Sequence, residues 1–249
     1  LAGWIYALGI AWDAVTDPFM GYLAERTSSP RGRYRPYILF GTIPLALSFV
    51  LLFWVPPLEG LSLFLCLVVI NIFHRTCFTI VSVPYSSLTP RITSDSEERT
   101  KLTTARMIGA SFGTLLMSSL GFPIINFFGQ NDESLGIIYL SFIAASIAVV
   151  ILYFTYWSVK ESSTEEIKET YPSVSKLILS ILKNYPFWIV FSSILILGST
   201  TIMFNKNLIY YIKYALDLHS YQGLVLGLSG LSSFASIPFW SYLSLKIGK

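Results

Sequence analysis

Residues Trp12 to Gly41 read WDAVTDPFMGYLAERTSSPRGRYRPYILFG. Two aspartates, Asp13 and Asp17, interrupt an apolar run. A loop with four arginines, Arg26, Arg31, Arg33 and Arg35, follows, and a second apolar run begins at Pro36. Carboxylates four residues apart share one helix face. At bilayer depth they are costly unless they face a bundle interior beside a partner, so the pair marks either a functional site or an ion pair with a neighbouring helix. The arginines mark the helix end that meets water.

The rest of the chain fits this reading. Only 12% of its 249 residues are charged and 53% are hydrophobic, with a mean hydropathy of +0.62. A soluble domain carries about 25% charged residues, so the composition is that of a membrane protein. The net charge of +3 is spread along the chain rather than gathered into a nucleic-acid-binding patch. Cys66 and Cys77 are eleven residues apart in one apolar run. On a helix that separation is about 16 Å, beyond disulfide reach, and both read as packing residues. The sequence begins at Leu1 with no charged leader before the first apolar run, and reads as an internal piece of a longer chain.

Crossing about 30 Å of hydrocarbon takes about 20 helical residues. Runs of that kind fall near 1–25, 36–56, 61–88, 102–128, 135–158, 185–206 and 219–245. The predicted fold class is therefore all-α, a polytopic transmembrane helical bundle. Thirteen of the 17 lysines and arginines sit on every second connection: after spans one, three, five and seven. The other loops hold Glu59, then Asp132 and Glu133, then Lys213 and Asp217. By the positive-inside rule the arginine-rich side is cytoplasmic.

The chain divides by composition into 1–159, a middle connection over 160–184, and 185–249. In the connection, Ser162 and Glu165 form a helix-start pattern. Val174, Leu177, Ile178, Ile181 and Leu182 then recur at helical spacing, with Lys176 and Lys183 off that stripe. This predicts a short amphipathic helix on the cytoplasmic membrane surface, the alternative being a solvated linker. An internal match ties the outer parts together: Pro18-Phe-Met-Gly-Tyr-Leu23 resembles Pro238-Phe-Trp-Ser-Tyr-Leu243, and both end a span at a basic loop. Half-to-half repeats of this kind build many secondary transporters.

Repulsion between Asp13 and Asp17 is what a bound cation would relieve, and Thr16 offers a hydroxyl nearby. Counting about 1.5 Å per residue puts Asp13 and Arg75 at mid-depth of spans one and three, which both run inward. Asp17 and Thr79 follow four residues later on each. Arg75 reads either as a clamp for an anionic or hydroxyl-rich solute or as a standing counter-ion for Asp13. His74 cannot share its face and reads as a packed, neutral histidine. Arg106 either snorkels towards phosphates or faces the interior, whereas Lys206 reads as snorkelling. Gly109 with Gly113, and Gly223 with Gly227, offer small-xxx-small packing faces. Trp54 and Trp157 read as interfacial anchors. The sequence holds no glycine-rich phosphate loop, zinc-ligand cluster or nucleophile elbow, so no enzyme chemistry and no cofactor are expected.

Four blocks carry a family resemblance: Trp12-Asp13-Ala-x-x-Asp17-Pro18-x-x-Gly21, Arg31-Gly32-Arg33-x-Arg35-Pro36, Val83-Pro84-Tyr85-x-x-Leu88 and Glu98-Arg99-Thr100. Together they resemble the glycoside–pentoside–hexuronide:cation symporters, melibiose permease-like members of the major facilitator superfamily. The resemblance is strongest over residues 1–130. It implies a major facilitator fold, with this chain covering about helices 2 to 8 of 12. It implies cation binding by Asp13 and Asp17, the candidates for holding Na+, with Thr16 and Thr79 in neighbouring ligand positions. It links Arg106 to the substrate site, with Arg75, Ser82, Tyr85 and Ser86 on the facing helix. It makes Gly21, Glu25, Arg26, Arg31, Gly32, Arg33 and Arg35 a cytoplasmic gating motif.

Ser82 and Ser86 stand where melibiose permease has an aspartate and a tryptophan, and Arg75 replaces a small residue, so the implied solute differs from melibiose. The expected function is cation-coupled symport, with Na+ or H+, of a sugar or glycoside-like small molecule across a bacterial inner membrane. A cation-dependent lysophospholipid transporter is the alternative of the same architecture. A non-transporting membrane scaffold or sensor is the alternative of another class. No nucleic-acid partner is expected.

Overall fold

The computed structural model of the chain describes residues 2–93, 95–130, 132–159, 161, 174–216 and 222–247. The described residues are helical, without strands. The helices are α1 (Ala2–Arg26), α2 (Arg35–Leu51), α3 (Gly60–Ile92), α4 (Ser96–Gly129), α5 (Glu133–Ser158), α6 (Val174–Lys183), α7 (Tyr185–Tyr210) and α8 (Gln222–Ile247). A π-helical turn, Tyr211–Ala215, extends α7.

Side chains written into the loops set several helix starts. Asp95 accepts from the amide of Glu97 ahead of α4, and Glu97 and Glu98 add negative charge at its positive end. Asp132 accepts from Ser134 and Leu135 at 2.9 and 3.3 Å to open α5. Asn184 accepts from Phe187 at 3.3 Å, and Pro186 fits the first turn of α7. Helices α3 and α4 outrun their apolar runs, because Pro90–Ile92 and Ser96–Lys101 continue as helix past the hydrophobic stretch.

The seven expected spans correspond to seven long helices, but a stricter test separates them. By length and mean hydropathy α3, α5 and Tyr185–Phe204 qualify as membrane spans among the described residues, with α4 as a span bent by 44°. Helix α2 is apolar but only 17 residues long. Helix α1, which carries Asp13 at its middle and Thr16 and Asp17 beyond, is not among those spans. Integral membrane character stands on the qualifying helices. The expected amphipathic helix is present as α6. The Ser162-x-x-Glu165 pattern lies outside the described residues.

The chain forms two compact units, residues 1–163 with 232–249, and residues 164–231. In the first, α2 packs on α3 and α5, α4 packs on α5, and α1 packs along α3. Met20, Ala24, Tyr34, Ile38 and Leu88 form a buried cluster where α1, α2 and α3 meet, with Tyr85, Leu152 and Tyr156 packed against it. Thr104 of α4 shares a 2.9 Å hydrogen bond with Ser241 of α8. The second unit holds α6, α7 and the π-helical turn, whose Leu216 amide donates to the Tyr211 carbonyl at 3.1 Å.

Among the described residues, tight helix approaches are made by Gly41 and Gly136 rather than by Gly109, Gly113 or Gly227, and the surroundings of Gly223 lie outside the described residues. A Cβ on Gly41 of α2 would stand 2.6 Å from Val81 Cγ2 of α3, and one on Gly136 of α5 would stand 2.4 Å from the Ile125 carbonyl oxygen. No described atom lies within 4 Å of a Cβ built at Gly109, Gly113 or Gly227. Spacing alone marks a face that can pack closely; the neighbour that uses it must come from elsewhere. Cys66 and Cys77 are free, as expected.

Candidate functional site

Helices α1 and α3 meet along a seam with constant register. Gly9 packs on Asn71, Asp13 pairs with Arg75, Asp17 with Thr79, and Gly21 stands opposite Val83, whose Cγ1 would lie 3.9 Å from a Cβ built there, each pair 62 residues apart. A constant offset means that the helices run parallel, so residues four apart on one helix meet residues four apart on the other. The sequence places its two carboxylates at successive rungs.

The rungs differ in chemistry. Arg75 Nη1 donates to Asp13 Oδ2 in an ion pair, both side chains about a quarter exposed. The other oxygen, Asp13 Oδ1, is buried without a hydrogen-bond partner, as is Asn71 Oδ1 one turn away on α3. Thr79, itself 2% exposed, donates from Oγ1 to Asp17 Oδ1 at 2.7 Å. Asp17 is otherwise exposed. One carboxylate is therefore neutralised by a guanidinium, and the other is oriented by a hydroxyl and open on its far side. Trp12 Nε1 donates to Thr76 Oγ1 at 2.9 Å and locks the seam between these rungs. A carboxylate with an adjacent hydroxyl oxygen is a donor set suited to a hard monovalent ion or a proton.

The other expected residues are more dispersed. Thr16 turns its hydroxyl back to the Trp12 carbonyl at 3.0 Å and makes no described contact with either carboxylate. On α3, Ser82 is half-buried and Ser86 exposed, while Tyr85 packs against the buried cluster. Arg106 is exposed on α4. No described hydrogen bond or ion pair joins it to the α1–α3 seam. His74 faces α2, sharing a 3.1 Å hydrogen bond with Ser48 Oγ beside Phe49 and Phe78.

The arginine-rich loop is organised by a residue that sequence reasoning missed. Glu161 accepts three backbone amides with its carboxylate: Arg33 at 2.7 Å, Tyr34 at 2.8 Å and Arg35 at 2.9 Å. Tyr34, the N-cap of α2, supplies no side-chain cap, so Glu161 does that work from across the fold. Gly32 allows it, with φ +103°; a Cβ there would stand 2.8 Å from the Glu161 carboxyl. Arg35 returns the tie, donating from Nε and Nη2 to the Tyr156 carbonyl at 3.2 and 2.7 Å and lying 4.6 Å over the Tyr156 ring. Arg31 donates its amide to Ser29, and Arg26 lies 4.2 Å over the Tyr22 ring. In the sequence Glu161 is one of four glutamates in the connection 160–184, set apart only by standing just past a span; its partners lie 126 to 128 residues away.

A bundle of apolar helices with carboxylates along a helix–helix seam and a braced basic loop has the build of a polytopic membrane protein. The family of MFS/sugar transport proteins matches residues 1–249, and the chain belongs to that family. Among its relatives is "Putative glycoside/cation symporter YagG" of Escherichia coli (strain K12), 30% identical over 87% of this chain and 47% of that protein. The isoprimeverose transporter of Lactiplantibacillus pentosus is 27% identical over 100% of this chain and 52% of its own length. The sodium-dependent lysophosphatidylcholine symporter 1-A of Danio rerio is 28% identical over 98% of this chain and 52% of its length. The chain thus spans about half the length of the curated relatives it matches. These relatives bear out the resemblance to glycoside–pentoside–hexuronide:cation symporters.

Proposed function

We propose that the chain supplies the cation-coupling part of a symporter that moves a sugar or glycoside-like solute across the membrane with Na+ or H+ by alternating access. The observation that carries this is the seam between α1 and α3, where Asp17 meets Thr79 one turn from Asp13. Membrane burial makes carboxylates without a job costly. Coupling requires the ion and the solute each to favour the same state of the protein, so that binding of one tightens the other.

In this reading Asp13 and Asp17 are the acidic groups of the cation site and Thr79 an oxygen ligand, with Thr16 in support. Arg106, Ser82, Tyr85 and Ser86 contribute to the solute path. The loop from Gly21 through Glu25, Arg26, Arg31, Gly32, Arg33 and Arg35 braces the cytoplasmic helix ends in one conformation. Residues 1–159 form most of an N-terminal half, 160–184 a cytoplasmic connection, and 185–249 the start of a C-terminal half. The membrane is a bacterial inner membrane, with the arginine-rich loops facing the cytoplasm.

A lysolipid solute is a second reading, favoured by the similarity to the lysophosphatidylcholine symporter over nearly the whole chain. Uptake by the full-length protein in proteoliposomes separates these. A panel of radiolabelled glycosides and lysophospholipids is offered under an inward Na+ gradient, an inward H+ gradient, or neither. Gradient-driven accumulation of a glycoside, lost in Asp17→Asn, supports the first reading. Accumulation of lysolipid alone supports the second. Accumulation that persists in both Asp13→Asn and Asp17→Asn removes the cation site assigned above.

A further inference from the structure

The seam carries one positive and two negative charges: Arg75, Asp13 and Asp17. The neighbouring titratable group, His74, is turned away to Ser48 on α2. The Arg75 guanidinium is seated rather than passing. It lies 5.5 Å over the Tyr6 ring, and Gly9 of α1 leaves the room it fills, since a Cβ there would stand 2.6 Å from Nε and 3.0 Å from Cδ. Gly9 is buried, so the socket belongs to the helix contact. On the far side of the pair, Asp13 Oδ1 is sealed from solvent. Of the two Asp13 oxygens, Oδ2 is engaged by the guanidinium and Oδ1 is buried, whereas Asp17 is exposed.

We propose that Arg75 is a built-in cation: it permanently occupies Asp13, and the two-carboxylate seam therefore takes one exchangeable monovalent cation, at Asp17 and Thr79. This rests on the cation-coupled reading above and adds its stoichiometry. Arg75 is a positioning and charge-setting residue. With it, the seam carries one net negative charge, matched to one cation; without it, two.

Charge balance gives the test. Equilibrium binding of 22Na+ is measured on the purified full-length protein as wild type, D13N, R75Q, D13N/R75Q and D17N, with folding checked by gel filtration and circular dichroism. Wild type binds one Na+ per chain. D13N leaves Arg75 facing Asp17 uncompensated, and affinity falls about a hundredfold. D13N/R75Q restores the net charge and returns affinity to within about tenfold of wild type, despite lacking Asp13. R75Q binds a second Na+ or binds the first about tenfold tighter. D17N binds none.

If D13N/R75Q stays as weak as D13N, or R75Q binds no more Na+ and no more tightly than wild type, Asp13 is itself a ligand and the inference is overturned while the symport reading stands. R75Q keeps both carboxylates and decides the matter even where D13N fails to fold. A folded wild type that binds no Na+ overturns the inference too. Solute uptake driven by a pH gradient then decides separately whether the symport reading survives.

Discussion

Thr79 of α3 hands its hydroxyl hydrogen to Asp17 of α1 at 2.7 Å, across two parallel helices whose facing residues are 62 positions apart. The hydroxyl fixes which way the carboxylate points, and its oxygen stays available to an ion beside it. Thr79→Val keeps the β-branched shape in a position that is 2% exposed and removes only the donor and oxygen. Na+ affinity is expected to fall about tenfold, about 1.4 kcal/mol, with Thr79→Ser within about threefold of wild type. Equal 22Na+ binding by the valine variant would remove Thr79 from the site.

Arg35 makes a different prediction, about stability. Its guanidinium gives two hydrogen bonds to one carbonyl, Tyr156, while covering that residue's ring. A lysine cannot reproduce a planar fork with a stacked face. Arg35→Lys should cost about 1–2 kcal/mol, seen as a melting-temperature drop of about 2–8 °C in detergent. Unchanged melting would show that the Tyr156 carbonyl is equally well served by water.

Much of this was legible in the sequence, for physical reasons that also say where legibility stops. Apolar length gives helices, so α1–α5, α7 and α8 follow the hydrophobic runs, and the Val174–Leu182 stripe yields α6. Depth counting pairs Asp13 with Arg75 and Asp17 with Thr79, because two helices running the same way keep register. It leaves open what Arg75 does, since a clamp and a counter-ion need the same depth. Gly9 is invisible to it: a glycine in an apolar helix looks like any other until a guanidinium fills its place. Glu161 is invisible too, because its three amide partners are set by tertiary contact and nothing local marks an acid that caps another helix. The Gly109 and Gly113 spacing marks a face on which no described residue of this chain packs.

The α2–α3 contact gives a packing prediction. At Gly41 an added Cβ would stand 2.6 Å from Val81 Cγ2 and 3.2 Å from Ile80 Cγ2. Gly41→Ala should therefore destabilise by about 1–3 kcal/mol through overpacking. Trimming the obstacle in Gly41→Ala/Val81→Ala should recover part of that loss, because the two sites share one volume. Thermal melts of the four proteins check it; a double variant whose loss equals the sum of the singles would mean the helices separate rather than clash.

The clamp on the arginine loop supports the sharpest stability test, because its two halves occupy the same few ångströms. Glu161→Ala strips the acceptor from the amides of Arg33, Tyr34 and Arg35, the last at the start of α2. The loss should be about 2 kcal/mol, in the range of a helix cap with a charged acceptor. Glu161→Gln keeps one acceptor oxygen but turns the other into a donor facing an amide, so it should lie between alanine and wild type. Gly32→Ala attacks from the other side: its Cβ would stand 2.8 Å from the Glu161 carboxyl, on a backbone with φ +103°. That side chain expels the carboxylate and adds strain of about 1–2 kcal/mol. In Gly32→Ala/Glu161→Ala only the strain is added to the cap loss, because there is no carboxylate left to displace. The double variant should then be more stable than the sum of the two single losses predicts, by about the value of the cap. Melting temperature gives the energies, and the rate of tryptic cleavage after Arg31 and Arg33 gives the local view, rising in both single variants. Strict additivity with wild-type cleavage would mean that the loop holds its shape without Glu161, and that the brace must be sought among the arginine side chains instead.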